Sequence, residues 1–490
     1  MRAKRPILAL ILSFLAGPVV PGEGSQAPPP PSVERRLHPC RVPGVDEEVR
    51  CGSYEVFENR AARRGRTIAL NIVVLPARSP DRLPDPLVFL AGGGVAPATS
   101  YASFLGGAYA NLRRNRDILL VDQRGTGGSN PLRCDLSTDP ASADYRNDDR
   151  FVSNVRRCRQ ELERKADLHH YTTPIAMDDL DDVRRWLGYP RLNLFGVSYG
   201  TTAAMVYLRR HGEHVRTVVL QGVLPLDVPT WLEVPRSSQQ ALERVFAACA
   251  RQPGCQNACP ELENEFDSLL KRLAAEPVHV RASEPGTGQH VDVTIDDEIL
   301  RVFVVRMLYS ASRLHDLPLL IHLAYRGEYQ PLAERLAIPG DSSIPKGVYL
   351  SIVCSELIPQ FDPGDLPAAA EGTFLGSFRI GREVTACREW VRGRLPSDFW
   401  APVESQKPVL ILNGSLDHIT PPRYGERVAR SFPNSRHLVL PERGHNDTDP
   451  CVNGIIEAFV TAGRLETLDT RCLAKSGDLT FALKSDDLGK

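Results

Sequence analysis

Charge of one sign is what this chain does not have: 59 Lys and Arg stand against 60 Asp and Glu over 490 residues. That balance excludes the broad electrostatic footprint by which proteins hold nucleic acid or an anionic membrane. The basic cluster Arg60, Arg63, Arg64 and Arg66 reads as a solvated loop. A membrane-spanning run is also missing at the N-terminus. The apolar segment PILALILSFLAGPVV is broken by Gly17 and Pro18, short of the ~20 residues that cross a bilayer. Internal repeats are absent. So is metal-ligand spacing: Cys249, Cys255 and Cys259 have no C-x-x-C pattern and no neighbouring His, which argues against zinc. No metal and no organic cofactor is implied. No Cys precedes Cys40, so nothing near the N-terminus could accept a lipid.

What is present begins with Arg2, Lys4 and Arg5 ahead of that short apolar run, the pattern of a secretory signal peptide over residues 1–27. Cleavage is expected between Ala16 and Ala27; the rival reading is an uncleaved anchor. APPPPS then opens a Pro-rich linker, residues 28–39. Export to the periplasm or the medium, with no stable membrane association after cleavage, suits the eleven cysteines, which fall in locally spaced couples. Proximity pairs Cys40 with Cys51, Cys134 with Cys158, Cys249 with Cys255, Cys354 with Cys387 and Cys451 with Cys472. Cys259 is left as a free buried thiol.

Hydrophobic content of 42% is ample for a packed core. TIALNIVVLP, DPLVFLAGGG and the apolar centre of NRDILLVDQRG read as strands. MDDLDDVRRWLG reads as an amphipathic helix with acids in its first turn, where the helix dipole favours them. RLNLFGV and RTVVLQGV are further buried strands. This alternation predicts an α/β fold, a mostly parallel sheet with helices on both faces. The pattern stops near residue 225, gives way to helical segments, and resumes with KPVLILNG, a helix, SRHLVLP and a last helix. The expected organisation is a core over residues 40–225, an inserted and mainly helical cap over 226–401, the rest of the core over 402–475, and a polar tail over 476–490.

The chemistry centres on RLNLFGVSYGTT. A strand runs into Gly196-Val197-Ser198-Tyr199-Gly200 and a helix-like run follows, which is the context of the G-x-S-x-G nucleophile elbow of α/β-hydrolases. The glycines let strand and helix backbones approach where side chains would clash, and the strained serine is lifted out of the sheet. A serine nucleophile needs a base, and the base an orienting acid. Asp417 follows the apolar strand 409–412, and His445 follows the strand 437–440, both at strand ends and in the order Ser, acid, His. His418 competes with His445, and Asp447 and Asp449 with Asp417. His418 directly follows the proposed acid, and the two aspartates share the base's own loop. The Tyr199 N–H and that of Gly93, with Gly92 or Gly94 as alternatives, are the expected oxyanion donors.

LAGGG, DILLVDQRGTGGSNPL, FGVSYGT, the Asp417 loop and RGH together resemble the proline iminopeptidase and tripeptidyl aminopeptidase group of α/β-hydrolase serine peptidases. The likeness covers roughly residues 67–223 and 407–472. It implies Ser198 as nucleophile, Asp417 as acid, His445 as base, and a helical cap whose carboxylates hold the substrate's α-amine; Glu356 in SIVCSELIP is the candidate here. The group's H-G-G-P-G loop is Ala91-Gly92-Gly93-Gly94-Val95 in this chain, without the His and Pro. The expected activity is serine aminopeptidase action on small peptides by a monomer. A carboxylesterase on the same scaffold is the alternative, since triad chemistry does not separate ester from amide. A catalytically silent binding protein is the reading from another class, and the intact triad argues against it.

Overall fold

The leucine- and valine-rich runs form strands, and their burial explains their composition. The computed structural model describes residues 33–93, 95–137, 146–284, 288–338, 344–445, 447–475 and 479–489. Its strands are β1 (His38–Cys40), β2 (Val49–Phe57), β3 (Thr67–Leu75), β4 (Leu87–Leu90), β5 (Ile118–Val121), β6 (Leu192–Val197), β7 (Val215–Gln221), β8 (Val278–Ser283), β9 (His290–Ile295), β10 (Val409–Gly414) and β11 (Ser435–Leu440). Nine of them make one sheet in the order β1-β2-β3-β5-β4-β6-β7-β10-β11. Pairing is antiparallel from β1 to β5 across β2 and β3, and parallel from β5 onward. Every residue of β4, β5 and β10 is buried, as a strand covered on both faces requires.

Successive residues of these strands enter two different cores. Val88, Leu90, Leu119, Leu194, Val218 and Ile411 face the helices Thr173–Leu187 and Tyr199–His211. Leu87, Phe89, Leu120, Phe195, Val219 and Leu410 face the helices Ala102–Ala108 and Pro450–Ala462. The long connection between β7 and β10 carries a third core on the helices Thr230–Arg251, Leu262–Ala275, Asp297–Met307 and Leu317–Tyr325. Residues late in this connection (Val348, Cys354, Val384, Trp390 and Phe399) pack instead into the core beneath the sheet.

The connection between β7 and β10 is mainly helical and also carries the antiparallel hairpin of β8 and β9. Three expectations need correction. The acidic helix begins at Thr173, with Pro174 in its first turn and Gly188 at φ 80° ending it. Its first turn holds no acid. Asp178, Asp179 and Asp181 lie further along, bonded to Arg210, Arg124 and Arg184, so ion pairing rather than the helix dipole places them there. Of the expected linker 28–39, residues from 33 onward are folded. Val33 is fully buried, and β1 pairs with β2. The proposed tail is not uniformly polar: Leu479, Phe481 and Ala482 are buried against the inserted helices, and Ala482 N–H donates to His315 O at 2.9 Å. The signal segment and APPPPS fall outside the described residues.

All five cysteine couples form disulfides as local spacing suggested: Cys40–Cys51, Cys134–Cys158, Cys249–Cys255, Cys354–Cys387 and Cys451–Cys472. Cys259 is free and buried, and burial pushes its thiol up to about 12. The native protein should therefore resist thiol alkylation at neutral pH. Unfolding without reductant should expose one reactive cysteine, and peptide mapping by mass spectrometry should place the label on Cys259. A label on any other cysteine would contradict this pairing.

Candidate active site

The elbow is built by sterics. Ser198 sits between β6 and the helix Tyr199–His211 with φ 55° and ψ −124°, a conformation that L-residues rarely hold. A Cβ on Gly200 would lie 1.9 Å from Leu90 O, and one on Gly196 would lie 2.3 Å from Gly200 O. Neither position admits a side chain. The Ser198 N–H donates to Gln221 O at 2.9 Å, which ties the elbow to the end of β7. Tyr199 is the first residue of its helix, so its N–H has no partner within the helix and is available to an anion. Gly92 passes against the serine: a Cβ there would be 2.8 Å from Ser198 Cβ. Gly93 follows at φ 66°, beside Ile344 of the inserted connection.

The structure brings together the three residues singled out by type and order. His445 Nε2 is 2.8 Å from Ser198 Oγ. His445 Nδ1 is 3.0 and 2.9 Å from the two Asp417 oxygens. Asp417 Oδ1 also accepts the N–H groups of Ile419 (2.9 Å) and Thr420 (2.7 Å), and Thr420 Oγ1 donates to Oδ2. Burial alone would raise the Asp417 carboxyl. The charge on His445 and the hydrogen bonds from His445 and Thr420 outweigh it and hold the group below its ordinary value. An ionised Asp417 fixes the proton of His445 on Nδ1 and leaves Nε2 free to accept from Ser198.

The competitors lie elsewhere. His418 is buried edge-on against Tyr309, and burial lowers it to about 3, which keeps it neutral. Asp449 caps the helix Pro450–Ala462 through Val452 N–H. Asp447 binds Ser310, Ala311 and Gly444 and makes no contact with the His445 ring. Asn413 is buried with its amide on Thr420 O, so the Asn-Gly-Ser triplet there offers no exposed acceptor for a glycan.

Glu356 is not at an open surface. It is 1% exposed, and its two oxygens take the N–H and Oγ1 of Thr173, each at 2.6 Å. Thr173 Oγ1 is in turn 2.7 Å from the Tyr199 hydroxyl. Burial pushes the Glu356 carboxyl up to about 7 against the pull of those two bonds.

Three residues that sequence reasoning passed over stand close by. Tyr309 lies edge-on to the His445 ring at 5.5 Å. Arg379 bonds to the Tyr309 side chain. Glu383, one helical turn beyond Arg379, accepts from Trp231 Nε1 at 2.9 Å and from the Tyr349 hydroxyl. Only the i,i+4 spacing of Arg379 and Glu383, which share a face of the helix Phe378–Glu389, could have marked the latter two.

The DQRGTGG segment supports this site from below. Asp122 accepts from Thr99 N–H (3.0 Å), Gly128 N–H (3.0 Å) and Asn71 Nδ2 (2.8 Å). Arg124 is buried against Asp179 at 2.6 and 2.9 Å and donates to the carbonyls of Glu58 and His170.

With the fold and this geometry in place, the family is plain: residues 85–449 match the model described as alpha/beta hydrolase fold, and the chain belongs to that family. By class it is a serine hydrolase. It is similar to a tripeptidyl aminopeptidase of Streptomyces lividans, 26% identical over 405 residues, covering 74% of this chain and 72% of the relative. It is also similar to the serine protease Hip1 of Mycobacterium tuberculosis (25% over 329 residues, 62% of each chain). A proline iminopeptidase of Neisseria gonorrhoeae is 27% identical over 145 residues, 30% of this chain and 34% of that relative.

Glu356 gives a pH signature of stability. Its folded value, about 7, lies above the ordinary 4.5, so the folded chain holds the extra proton between those values. Stability then falls as pH rises through that window and levels off above it, by on the order of 3 kcal/mol in all. Glu356→Gln removes the titration. Its melting temperature should decline less than the parent's between pH 5 and pH 8, read by calorimetry or circular dichroism. Parallel curves would show that Glu356 does not titrate there.

Proposed function

We propose that this protein is an exported aminopeptidase of the tripeptidyl or prolyl type. It would cleave residues from the N-terminal end of short peptides through Ser198, His445 and Asp417. The observation that carries this reading is the continuous hydrogen-bonded line from Ser198 Oγ through the His445 ring to Asp417, built on a strained elbow. Relatives named tripeptidyl aminopeptidase and serine protease support the peptide as substrate class. Five disulfides support an oxidising compartment. Among the described residues no helix is long and apolar enough to cross a membrane.

In the proposed reaction Ser198 Oγ attacks the scissile carbonyl carbon while His445 Nε2 takes its proton. Charge collects on the carbonyl oxygen, and the N–H groups of Tyr199 and Gly93 stabilise it. Collapse of the tetrahedral species breaks the C–N bond. His445 returns the proton to the departing amine, and an ester on Ser198 remains. Water, deprotonated by His445, hydrolyses that ester and frees the serine. Asp417 holds the imidazole tautomer and offsets the positive charge at each stage.

A free α-amine needs a carboxylate near the site. Both oxygens of Glu356 are committed to Thr173. We therefore assign that role to Glu383. It is only half-buried and has further lone pairs beyond those used by Trp231 and Tyr349.

The test is a panel of free-amine tripeptidyl, prolyl and alanyl amides, their N-blocked forms, and short-chain aryl esters. Ser198→Ala should lower kcat/KM on every cleaved substrate by about 10³-fold or more. Glu383→Gln should reduce the preference for free-amine over blocked amides by about tenfold, since the carboxylate charge that would pair with the α-ammonium is lost. Turnover of esters alone would move the protein to the esterase reading. Activity unchanged in Ser198→Ala would overturn the site.

A further inference from the structure

The loop that carries His445 is fastened to the inserted connection. The His445 N–H donates to Tyr309 O at 3.0 Å. Gly444, just before it, packs so closely that a Cβ would lie 2.6 Å from the same oxygen. Asp447, two residues after the base, gathers both sides of the junction. Its Oδ1 accepts Ser310 Oγ at 2.5 Å, and its Oδ2 accepts the N–H groups of Ala311 and Gly444, each at 2.7 Å. Its backbone oxygen accepts Gln221 Nε2 at 3.1 Å, at the end of β7. The Tyr309 ring then stands edge-on between two imidazoles, 5.5 Å from His445 and 4.7 Å from His418.

The proposed reaction gives Asp447 no proton to move, because Asp417 already holds His445 Nδ1. A carboxylate with three donors drawn from two segments does something else: it fixes one backbone against another. The fixed object is the peptide unit of the base. Its ring must reach Ser198 Oγ within hydrogen-bond range, and a misplacement of about 1 Å in such a group costs on the order of 10²-fold in rate.

We propose that Asp447 and Tyr309 are positioning residues for His445. Through them residues 309–311 of the inserted connection set the geometry of the base. The insert then contributes to the chemical step even for a substrate too small to touch it. The inference rests on the reading of His445 as base, and the experiment separates the two.

The parent and the variants Asp447→Ala, Asp447→Asn, Tyr309→Leu and Ser310→Ala are assayed with a small aryl acetate. The rate of Ser198 labelling by a fluorophosphonate is measured beside it. All assays run at a temperature where circular dichroism shows each variant folded. Asp447→Ala should lower kcat by about 10- to 100-fold with KM within about threefold, and labelling should slow by the same factor. Asp447→Asn keeps an acceptor for the two N–H groups and can donate to Ser310 Oγ, so it should recover activity to within about fivefold of the parent. Tyr309→Leu and Ser310→Ala, each losing part of the junction, should fall between. They carry the test if Asp447→Ala does not fold.

Parent-like kcat in Asp447→Ala, or in the two milder variants where it is unfolded, would overturn the proposal. A change confined to KM, or an Asn variant no better than the Ala variant, would do the same. Ser198→Ala and His445→Ala run alongside. If they stay active, the base reading itself has failed; if they are dead while the junction variants match the parent, only this inference has.

Discussion

The approach of the helix Tyr199–His211 to β4 is the constraint on which the rest depends. With Leu90 O only 1.9 Å from where a Gly200 Cβ would stand, strand and helix meet at a distance that one residue type permits. That contact forces the turn at Ser198 into positive φ and aims its hydroxyl at His445. The strain, of order 1–3 kcal/mol for a residue held in such a region, persists because the surroundings over-determine it. Gln221 O holds the Ser198 N–H, Gly92 closes the opposite side, and β4, β6 and β7 are buried throughout or nearly so.

Buried charge holds the neighbouring loops where that constraint needs them. Arg124 would be costly inside the protein if unpaired, and Asp179 meets it with two oxygens while carbonyls of Phe57, Glu58 and His170 take its remaining donors. Its neighbour Asp122 performs the matching task for N–H groups from residues 99 and 128. The loop after β5 is thus tied to the strand region before it and to the acidic helix behind Tyr199. Glu356 extends the same shell: by accepting from Thr173 it satisfies a donor at the start of that helix, and Thr173 passes the contact on to the Tyr199 hydroxyl. The helix behind the nucleophile is held by a residue nearly two hundred positions further along the chain.

Much of this was legible in the sequence because its causes are local. Glycines at 196 and 200, a valine- and leucine-rich strand before them and a helix after them are all within a dozen residues. Asp417 and His445 each follow a strand that announces itself. The cysteine couples were readable for the same reason: each joins segments close in the chain. What escaped depends on long-range packing. The hairpin of β8 and β9 is the exception: VHVRAS and HVDVTI alternate apolar with polar residues, a short period-two signal that the long helical runs on either side outweigh. The acids of residues 178–181 were misplaced because their partners Arg210, Arg124 and Arg184 lie on other segments or on the helix's own next turn. Glu356 has the right residue type but a burial that only the assembled fold imposes. Glu383 and Arg379 take their partners, Trp231, Tyr349 and Tyr309, from other segments of the chain.

The nucleophile and the base are secured by different means, and the sheet explains why. Ser198 rises from the interior of the sheet, where β6 has neighbours on both sides. His445 follows β11, an edge strand with one neighbour and only one fully buried residue. An edge strand supplies half the pairing of a central one and little of the burial that fixes register. The loop beyond it therefore needs other fastenings, and several converge on it. Asp449 caps the next helix and accepts Arg443. Cys451–Cys472 closes that helix into a loop of 21 residues, worth roughly 3 kcal/mol in a chain-entropy account. The third fastening is the junction with Tyr309, Ser310 and Ala311, drawn from a connection whose helices have their own core. Because that core also takes in Leu416 and Ile419, on either side of Asp417, the acid and the base are both anchored to the inserted helices, while the serine is anchored to the sheet. The alignment of Ser198 with His445 is consequently a property of how those two bodies pack, not of either alone.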